Sequence, residues 1–245
     1  MKKIEIHIIT YNEEVMLPVT IAHYKRMFGD PIIVVHDNQS TDNTVQIALD
    51  NGCQVVTFVT NGLTDSAYIK IKSEAHLTAN AEWCLCIDCD EHCYINTEDL
   101  EDLEKRNVNI VQFEGWDVFA EVSHPSLITE LKGIRSPGEN KPILIRVNQF
   151  SEYIVKPGAH GVDRVVAKEG VSVLWSKFAY KLLHMKHWNL QFIVDRHAEF
   201  GRRLSEENKK NGWGFHYNFS ADIHTDYFNN GIKNAQPITD KRIKQ

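Results

Sequence analysis

The chain opens with Ile4-Glu5-Ile6-His7-Ile8-Ile9, a β-rich run that predicts a strand, and Thr10-Tyr11-Asn12-Glu13-Glu14 closes it with polar residues suited to a loop and a helix start. Leu17, Ile21, Tyr24 and Phe28 then recur on one helical face, with Pro18 near the start, where a missing N–H costs nothing, and Gly29 at the end. The wholly apolar Ile32-Ile33-Val34-Val35 reads as a strand covered on both faces. A polar loop, 36–42, follows it. Ser40, Thr41 or Asp42 can cap the next helix, whose Val45, Ala48 and Leu49 face inward before Asn51-Gly52 ends it. A third strand is expected at 54–59, and a helix over 66–79 carries Tyr68, Ile71, Ala75 and Ala79 on one stripe. That helix leads into Trp83-Cys84-Leu85-Cys86-Ile87, an apolar strand that runs straight into Asp88, Asp90 and Glu91. Such alternation predicts an α/β fold with a mostly parallel sheet, helices on both faces and a ligand site at the carboxyl ends of the strands.

Beyond residue 95 the pattern loosens. Asn96 or Thr97 caps a helix with acids early and Lys105-Arg106 late, as the helix dipole favours. Strands are expected at 110–113, 143–147 and 171–175, with 124–142 mainly loop. A His-rich passage, Leu182-Leu183-His184-Met185-Lys186-His187-Trp188, precedes a helix on the stripe Ile193, His197, Phe200 and Leu204 that Asn211-Gly212 should close. Trp213, Phe215, Tyr217 and Phe219 alternate with small or polar residues, which predicts an extended segment with one aromatic face. The last dozen residues read as a frayed polar tail. The expected division is a nucleotide-binding half at 1–107, a completing half at 108–212 and an aromatic extension with its tail at 213–245.

With 42% apolar residues in 245, one sizeable core can be buried. A net charge of −6 gives no basic stripe for nucleic acid. Met1-Lys2-Lys3 opens like a signal peptide, but Glu5 and His7 interrupt the apolar region that must follow. No stretch approaches the roughly 18 apolar residues of a membrane span. Five cysteines without framework spacing predict reduced thiols in a cytosolic compartment, a placement compatible with peripheral association with a membrane.

Carboxylates one residue apart at a strand end can share a hard divalent cation, and their mutual repulsion demands a cation or a set of donors. The plain alternative is a solvated acidic turn. Cys84, Cys86, Cys89 and Cys93 lack the spacing of zinc knuckles and read as small buried apolar residues. A phosphatase-type reading would want Thr or Val two positions after the second acid, where His92 stands. A sugar-nucleotide pyrophosphorylase would want a Gly-rich basic loop after the first strand.

Thr10-Tyr11-Asn12-Glu13, the run Asp37-Asn38-Gln39-Ser40-Thr41-Asp42-Asn43-Thr44, and Asp88-Cys89-Asp90-Glu91, in this order and at strand ends, resemble family 2 glycosyltransferases of the GT-A fold. The resemblance covers residues 4 to 100 and thins afterwards to pieces similar to a DxDE-bearing subgroup: 116–119, 127–130, Gly158-Ala159-His160, and His184 with the helix after it. It implies a Rossmann-like nucleotide-binding half. Thr10, Tyr11, Asn12, Glu13, Asp37, Asn38 and Ser40 would hold the nucleoside, with Asp65, Lys72 and Asp88 on the same donor side. Asp90 would ligate Mn²⁺ or Mg²⁺, and His184 would complete the metal shell, with His160 as its rival and Asp88 as a further ligand.

The implied reaction moves a sugar, with inversion, from a nucleotide-diphosphate donor to a glycan, lipid-linked or other hydroxyl acceptor. The metal would act as a Lewis acid on the leaving diphosphate. Among the acids beyond the fourth strand, Glu130 is the first candidate for the general base, Asp117 the second and Asp163 the third. The competing reading is a non-catalytic sugar- or nucleotide-binding module with an exposed aromatic strip.

Overall fold

The computed structural model describes residues 2–243; Met1 of the opening segment and Lys244 and Gln245 of the tail lie outside the described residues. Strands β1 (Lys2–Thr10), β2 (Ile32–Asp37), β3 (Gln54–Thr57) and β4 (Ala81–Asp88) alternate with helices α1 (Leu17–Phe28), α2 (Thr44–Asp50) and α3 (Asp65–Thr78), as the apolar runs predict. β1 pairs in parallel with both β2 and β4, and β2 with β3. The chain therefore winds outward from β1 in one direction through β2 and β3, then crosses back to place β4 on the other side of β1. That reversal is a topological switch point, where an open α/β sheet leaves a crevice at its carboxyl ends. Register sets Asp88 beside Ile9 and Asp37 beside Thr10 at those ends.

Side-chain alternation decides what each face of β1 meets. Ile4, Ile6 and Ile8 are fully buried with Leu17, Ile21 and Tyr24 of α1. Cys84 and Cys86 of β4 pack with Ala75 and Val147, while Cys89 and Cys93 belong to the main core. All five cysteines are buried and unpaired with one another.

The sheet then turns antiparallel. Its further strands are β5 (Glu91–Tyr94), β6 (Ile110–Phe119), β7 (Lys132–Arg135), β8 (Pro142–Arg146), β11 (Trp175–His187) and β12 (Gln236–Pro237). β8 lies between β4 and β6, and β7 links β6 to β12. β11 runs parallel to β6 and antiparallel to β5. Helix α4 (Thr97–Lys105) starts at an Asn96–Asp99 capping box. A separate hairpin, β9 (Phe150–Val155) with β10 (Val162–Ala167), docks on α3, where the Val155 amide donates to Ser73 Oγ at 3.1 Å. Helices α5 (Leu190–Arg203), α6 (Glu206–Asn211) and α7 (Ala221–Asn234) follow.

Several expectations need correction in this half. The His-rich passage is the strand β11 itself, because pairing with β5 on one side and β6 on the other satisfies its backbone. The long loop at 124–142 contains β7. The helix expected to run to Gly212 breaks at Leu204, and Ser205 caps α6 anew by accepting from the Asn208 amide. Residues 215–218 form a 3-10 turn rather than an extended aromatic strip. The end of the chain is packed: Ile238 is buried, and Arg242 forks onto Asp99 at 2.6 and 3.0 Å.

Candidate active site

β4 ends at Asp88, the chain turns through Cys89 and Asp90, and β5 begins at Glu91. The turn is closed by the Asp88 amide donating to Glu91 Oε2 at 3.0 Å and by the Met185 amide donating to Asp90 O at 2.8 Å. Glu91 is buried. Its Oε1 accepts from Lys141 Nζ in a very short contact and from His184 Nε2 at 3.1 Å. Strand register explains this meeting: β11 places His184 opposite Glu91 of β5 and beside Asp117 of β6. Lys72 of α3 donates to Asp88 at 2.7 Å, and Lys141 stands 3.5 Å from the same oxygen.

These groups open onto a cleft of about 390 Å³ at the β1/β4 switch point. Thr10, Tyr11, Glu13, Asp65, Lys72, Asp88, Asp90, His160 and His184 line it, as do Glu139, Lys156, Lys186, Arg196, Trp213, Phe215 and Tyr217. Burial disfavours a charged Asp90, but Arg196, Lys186 and His184 outweigh it and hold its pKa below the carboxylate range. Glu91 behaves likewise, with Lys141 and His184 outweighing its burial. Burial opposes a charged His184 as well, yet Glu91 and Glu139 raise its pKa. His160 is pushed down to about 4 by burial and Lys141, so it is neutral at pH 7.

The rest of the expected nucleoside set does not line the cleft. Asn12, in a left-handed conformation at φ 51°, accepts from the Thr41 amide at 2.8 Å, and its own amide donates to Ser40 Oγ at 2.9 Å. Asp37 is buried and accepts from the Ser40 amide at 3.1 Å. Asn38 is held by Thr60 and by Arg203 Nη2 at 2.9 Å. Asn12, Asp37, Asn38 and Ser40 thus bind the two loops to each other and to α5, beside the cleft wall.

Glu130 does not reach the cleft. It lies in a separate groove with Pro18, Ile128 and Lys132, is 73% exposed and pairs with Lys132 at 2.7 Å. Asp117 is buried outside the cleft lining, one oxygen accepting from Tyr227 Oη at 2.9 Å and the other 4.0 Å from His184 Nδ1. Asp163 is exposed and stands 3.8 Å from Lys156.

Glu139 was not singled out by the sequence, yet the fold aims it at the cleft. The turn Pro137–Glu139 lies flat on β6 because Gly115 has no side chain: a Cβ there would sit 2.4 Å from the Glu139 carbonyl oxygen. Asn140 Oδ1 accepts from the Gly115 amide at 2.8 Å and fixes the turn. The Glu139 carboxylate then lies 3.5 Å from His160 and 3.7 Å from His184. Burial would raise its pKa, but His184, Lys186 and Lys141 bring it down to about 2.

Helix α5 supplies the opposite wall. Arg196 forks onto buried Glu13 at 2.9 and 2.5 Å, and Arg203 stacks 3.1 Å from the Tyr11 ring centroid. The end of α5 is stitched to the loop after β3 by the Leu63 amide donating to Arg203 O at 2.6 Å. Gly62, at φ +80°, allows that approach, since a Cβ would fall 2.1 Å from the same oxygen.

Among the described residues no group of three or more His, Cys, Asp or Glu side chains converges to hold a metal ion. Asp90 nevertheless fits a hard cation, because its carboxylate opens on the cleft without an ion pair within 4.0 Å among the described residues. Mg²⁺ and Mn²⁺ sites commonly use one or two protein carboxylates and take their other oxygens from phosphates and water. His184 Nε2 would have to give up its bond to Glu91 to ligate, whereas its Nδ1 is buried without a hydrogen-bond partner, 4.0 Å from Asp117.

Residues 5–106 match the profile of glycosyl transferase family 2. Over 91 residues, 37% of this chain, the sequence is 40% identical to an uncharacterized glycosyltransferase of Rickettsia typhi (strain ATCC VR-144 / Wilmington). The same identity and share are found with one from Rickettsia prowazekii (strain Madrid E). The chain spans only 29% of the length of either relative. Among solved structures, S. aureus TarS 1-349 is similar with a TM-score of 0.44 and 17% identity over 85% of this chain and 68% of that one. Glucosyl-3-phosphoglycerate synthase from Mycobacterium tuberculosis, in complex with Mn²⁺, UDP-Glc and phosphoglyceric acid, gives a TM-score of 0.33 and 19% identity over 47% of this chain and 44% of that one. The likeness to glycosyl transferase family 2 thus rests on residues 5–106.

Proposed function

We propose that the chain transfers a sugar from a nucleotide-diphosphate donor to a hydroxyl acceptor on a glycan or lipid-linked saccharide, with inversion at the anomeric carbon. The observation that carries this reading is the switch-point cleft, where Asp90 stands beside the β1 loop without an ion pair within 4.0 Å among the described residues. In it the nucleoside lies against Tyr11 and the β1 loop, whose shape Asn12, Asp37, Asn38 and Ser40 maintain. Asp88, held between Lys72 and Lys141, keeps enough exposure to meet the ribose. Asp90, joined by His184 or His160, would hold Mn²⁺ or Mg²⁺, which supplies Lewis-acid stabilisation of the leaving diphosphate.

The base in this reading is Glu139. Among the described residues it is the one cleft carboxylate contributed from beyond β5, and His160 at 3.5 Å can steady it while it accepts the acceptor's proton. Trp213 and Phe215, at the mouth, offer aromatic faces to a sugar ring; Phe215 is 63% exposed. Second-half segments would thus choose the acceptor.

A thermal-shift series with UDP, GDP and dTDP, each with Mn²⁺ or with EDTA, tests the reading. At about 100-fold excess over Kd the matching nucleotide with metal should raise the melting temperature by ~5–10 °C. Asp90→Ala should lose the metal-dependent part of that shift. An undiminished metal-dependent shift in Asp90→Ala would remove Asp90 as the ligand, and no shift with any nucleotide would remove the reading.

A further inference from the structure

Among the described residues five lysine and arginine side chains line the cleft: Lys72, Lys141, Lys156, Lys186 and Arg196. Four of them are engaged. Lys72 is on Asp88, Lys141 on Glu91, Lys156 faces Asp163, and Arg196 forks onto Glu13. Lys186 alone has no hydrogen bond or ion pair within 4.0 Å among the described residues. Asp90 is in the same condition, and the two groups do not bridge each other although both line one cleft. Glu139, Asp117 and Asp90 keep Lys186 charged from beyond ion-pair distance, so its ammonium donors stay open to a ligand in the cleft.

We propose that Lys186 donates to the terminal phosphate of the donor's diphosphate, opposite the side held by Asp90. This rests on the glycosyltransferase reading above and adds a second source of charge stabilisation to it. Lys186 follows His184 by two positions on β11, and across a register shift of the strand both side chains line the cleft. Lysine suits the role, being a compact point charge able to meet a phosphate oxygen. As the anomeric carbon–oxygen bond breaks, its electron pair stays on the diphosphate oxygen. The acceptor oxygen forms the new bond to that carbon, its proton passes to Glu139, and Lys186 keeps its own proton throughout. Because Lys186 stabilises charge that grows as the bond breaks, it contributes more to the transition state than to the bound donor.

Calorimetric titration with the pairs UDP and UMP, GDP and GMP, and dTDP and dTMP, in EDTA and in Mn²⁺, isolates the terminal phosphate. In EDTA, where only protein cations remain, the matching diphosphate should bind ~10–100-fold tighter than its monophosphate. Lys186→Met should remove most of that preference and leave monophosphate affinity unchanged, while Lys186→Arg should keep it. Lys186→Gln, which retains a polar side chain, should behave as Lys186→Met and replaces it if that variant does not fold. A diphosphate preference unchanged in the neutral variants, or absent from the unaltered protein in EDTA, overturns the assignment and leaves the glycosyltransferase reading standing. Failure of every nucleotide to bind, with metal or without, overturns both.

Discussion

The cleft is built from two regions of opposite charge. Glu13, Asp65, Asp88, Asp90 and Glu91 come from the segment before α4, whereas Lys141, Lys156, Lys186 and Arg196 come from residues after β7, with Lys72 and Glu139 as the exceptions on each side. The first region supplies a row of carboxylates that would repel one another if left alone. The second region lays cations into that row from the residue preceding β8, from β11, from α5 and from the loop after β9. The family-matching segment, 5–106, therefore carries the acids but only one of the lysine and arginine side chains that let them stay ionised in a confined site.

The largest effect is expected at the acid that breaks this division. Removing a general base typically costs ~10²–10⁴-fold in rate. Glu139→Gln should lose transfer to that extent while nucleotide binding and melting temperature hold, as steady-state rates beside a thermal-shift assay will tell. Glu130→Gln is its counterpart. With an exposed carboxylate paired to Lys132, it should transfer within about twofold of the unaltered protein, as an exposed ion pair contributes little. Rates falling for Glu130→Gln and holding for Glu139→Gln would place the base outside the cleft and dissolve the division of labour.

Next in size is the contact where the two regions meet most tightly. Lys141 and Glu91 are both buried, and removing one partner of such a pair leaves an uncompensated charge, usually at a cost of about 3–5 kcal/mol. Lys141→Met should be destabilised by that order in urea unfolding. Lys141→Met combined with Glu91→Gln should recover part of the loss, because a neutral amide is far easier to bury. A double variant no more stable than the single one would mean that Lys141 acts through Asp88 or through packing.

This division also explains what could be read in the sequence. β1 to β4 were legible because each is a short apolar run bounded by turn residues, and Asp88 and Asp90 stood out because they interrupt one. Glu139, Lys141, Lys186 and Arg196 stand in ordinary surroundings and meet only after β8 inserts beside β4 and β11 pairs with β5, pairings set by tertiary contact. Glu130 misled because a short local motif carries no information about which side of the sheet it occupies. One signal was available for Glu139: Gly115, in mid-strand, marked a close backbone approach. Asn12 stands in one motif and Asp37 and Ser40 in another, and the structure joins the two by hydrogen bonds at the cleft edge, an arrangement that neither motif shows by itself.

The smallest expected effect separates the two regions by pH. His23, on α1, is buried and neutral: its Nε2–H donates to Cys93 O at 2.9 Å, and its Nδ1 accepts from Arg26 at 3.3 Å. Burial brings its pKa down to about 3. The unfolded chain takes up a proton at His23 below its ordinary value of about 6.5 while the folded protein does not, so its stabilising contribution is complete above that pH. That contribution is lost progressively as pH falls from about 6.5 toward 3, amounting to ~2 kcal/mol between pH 7 and pH 5. His184, in the other region, has the opposite sign. With its pKa raised among Glu91 and Glu139, its contribution is fully present below the unfolded value and is lost as pH rises through the folded one. His23→Gln should therefore flatten the acid-side fall of stability by ~2 kcal/mol across pH 7 to 5, and His184→Gln should steepen it, in urea unfolding of metal-free protein. An unchanged slope in His23→Gln would show that this histidine charges in the folded state, and that the first region tolerates a cation which its packing argues against.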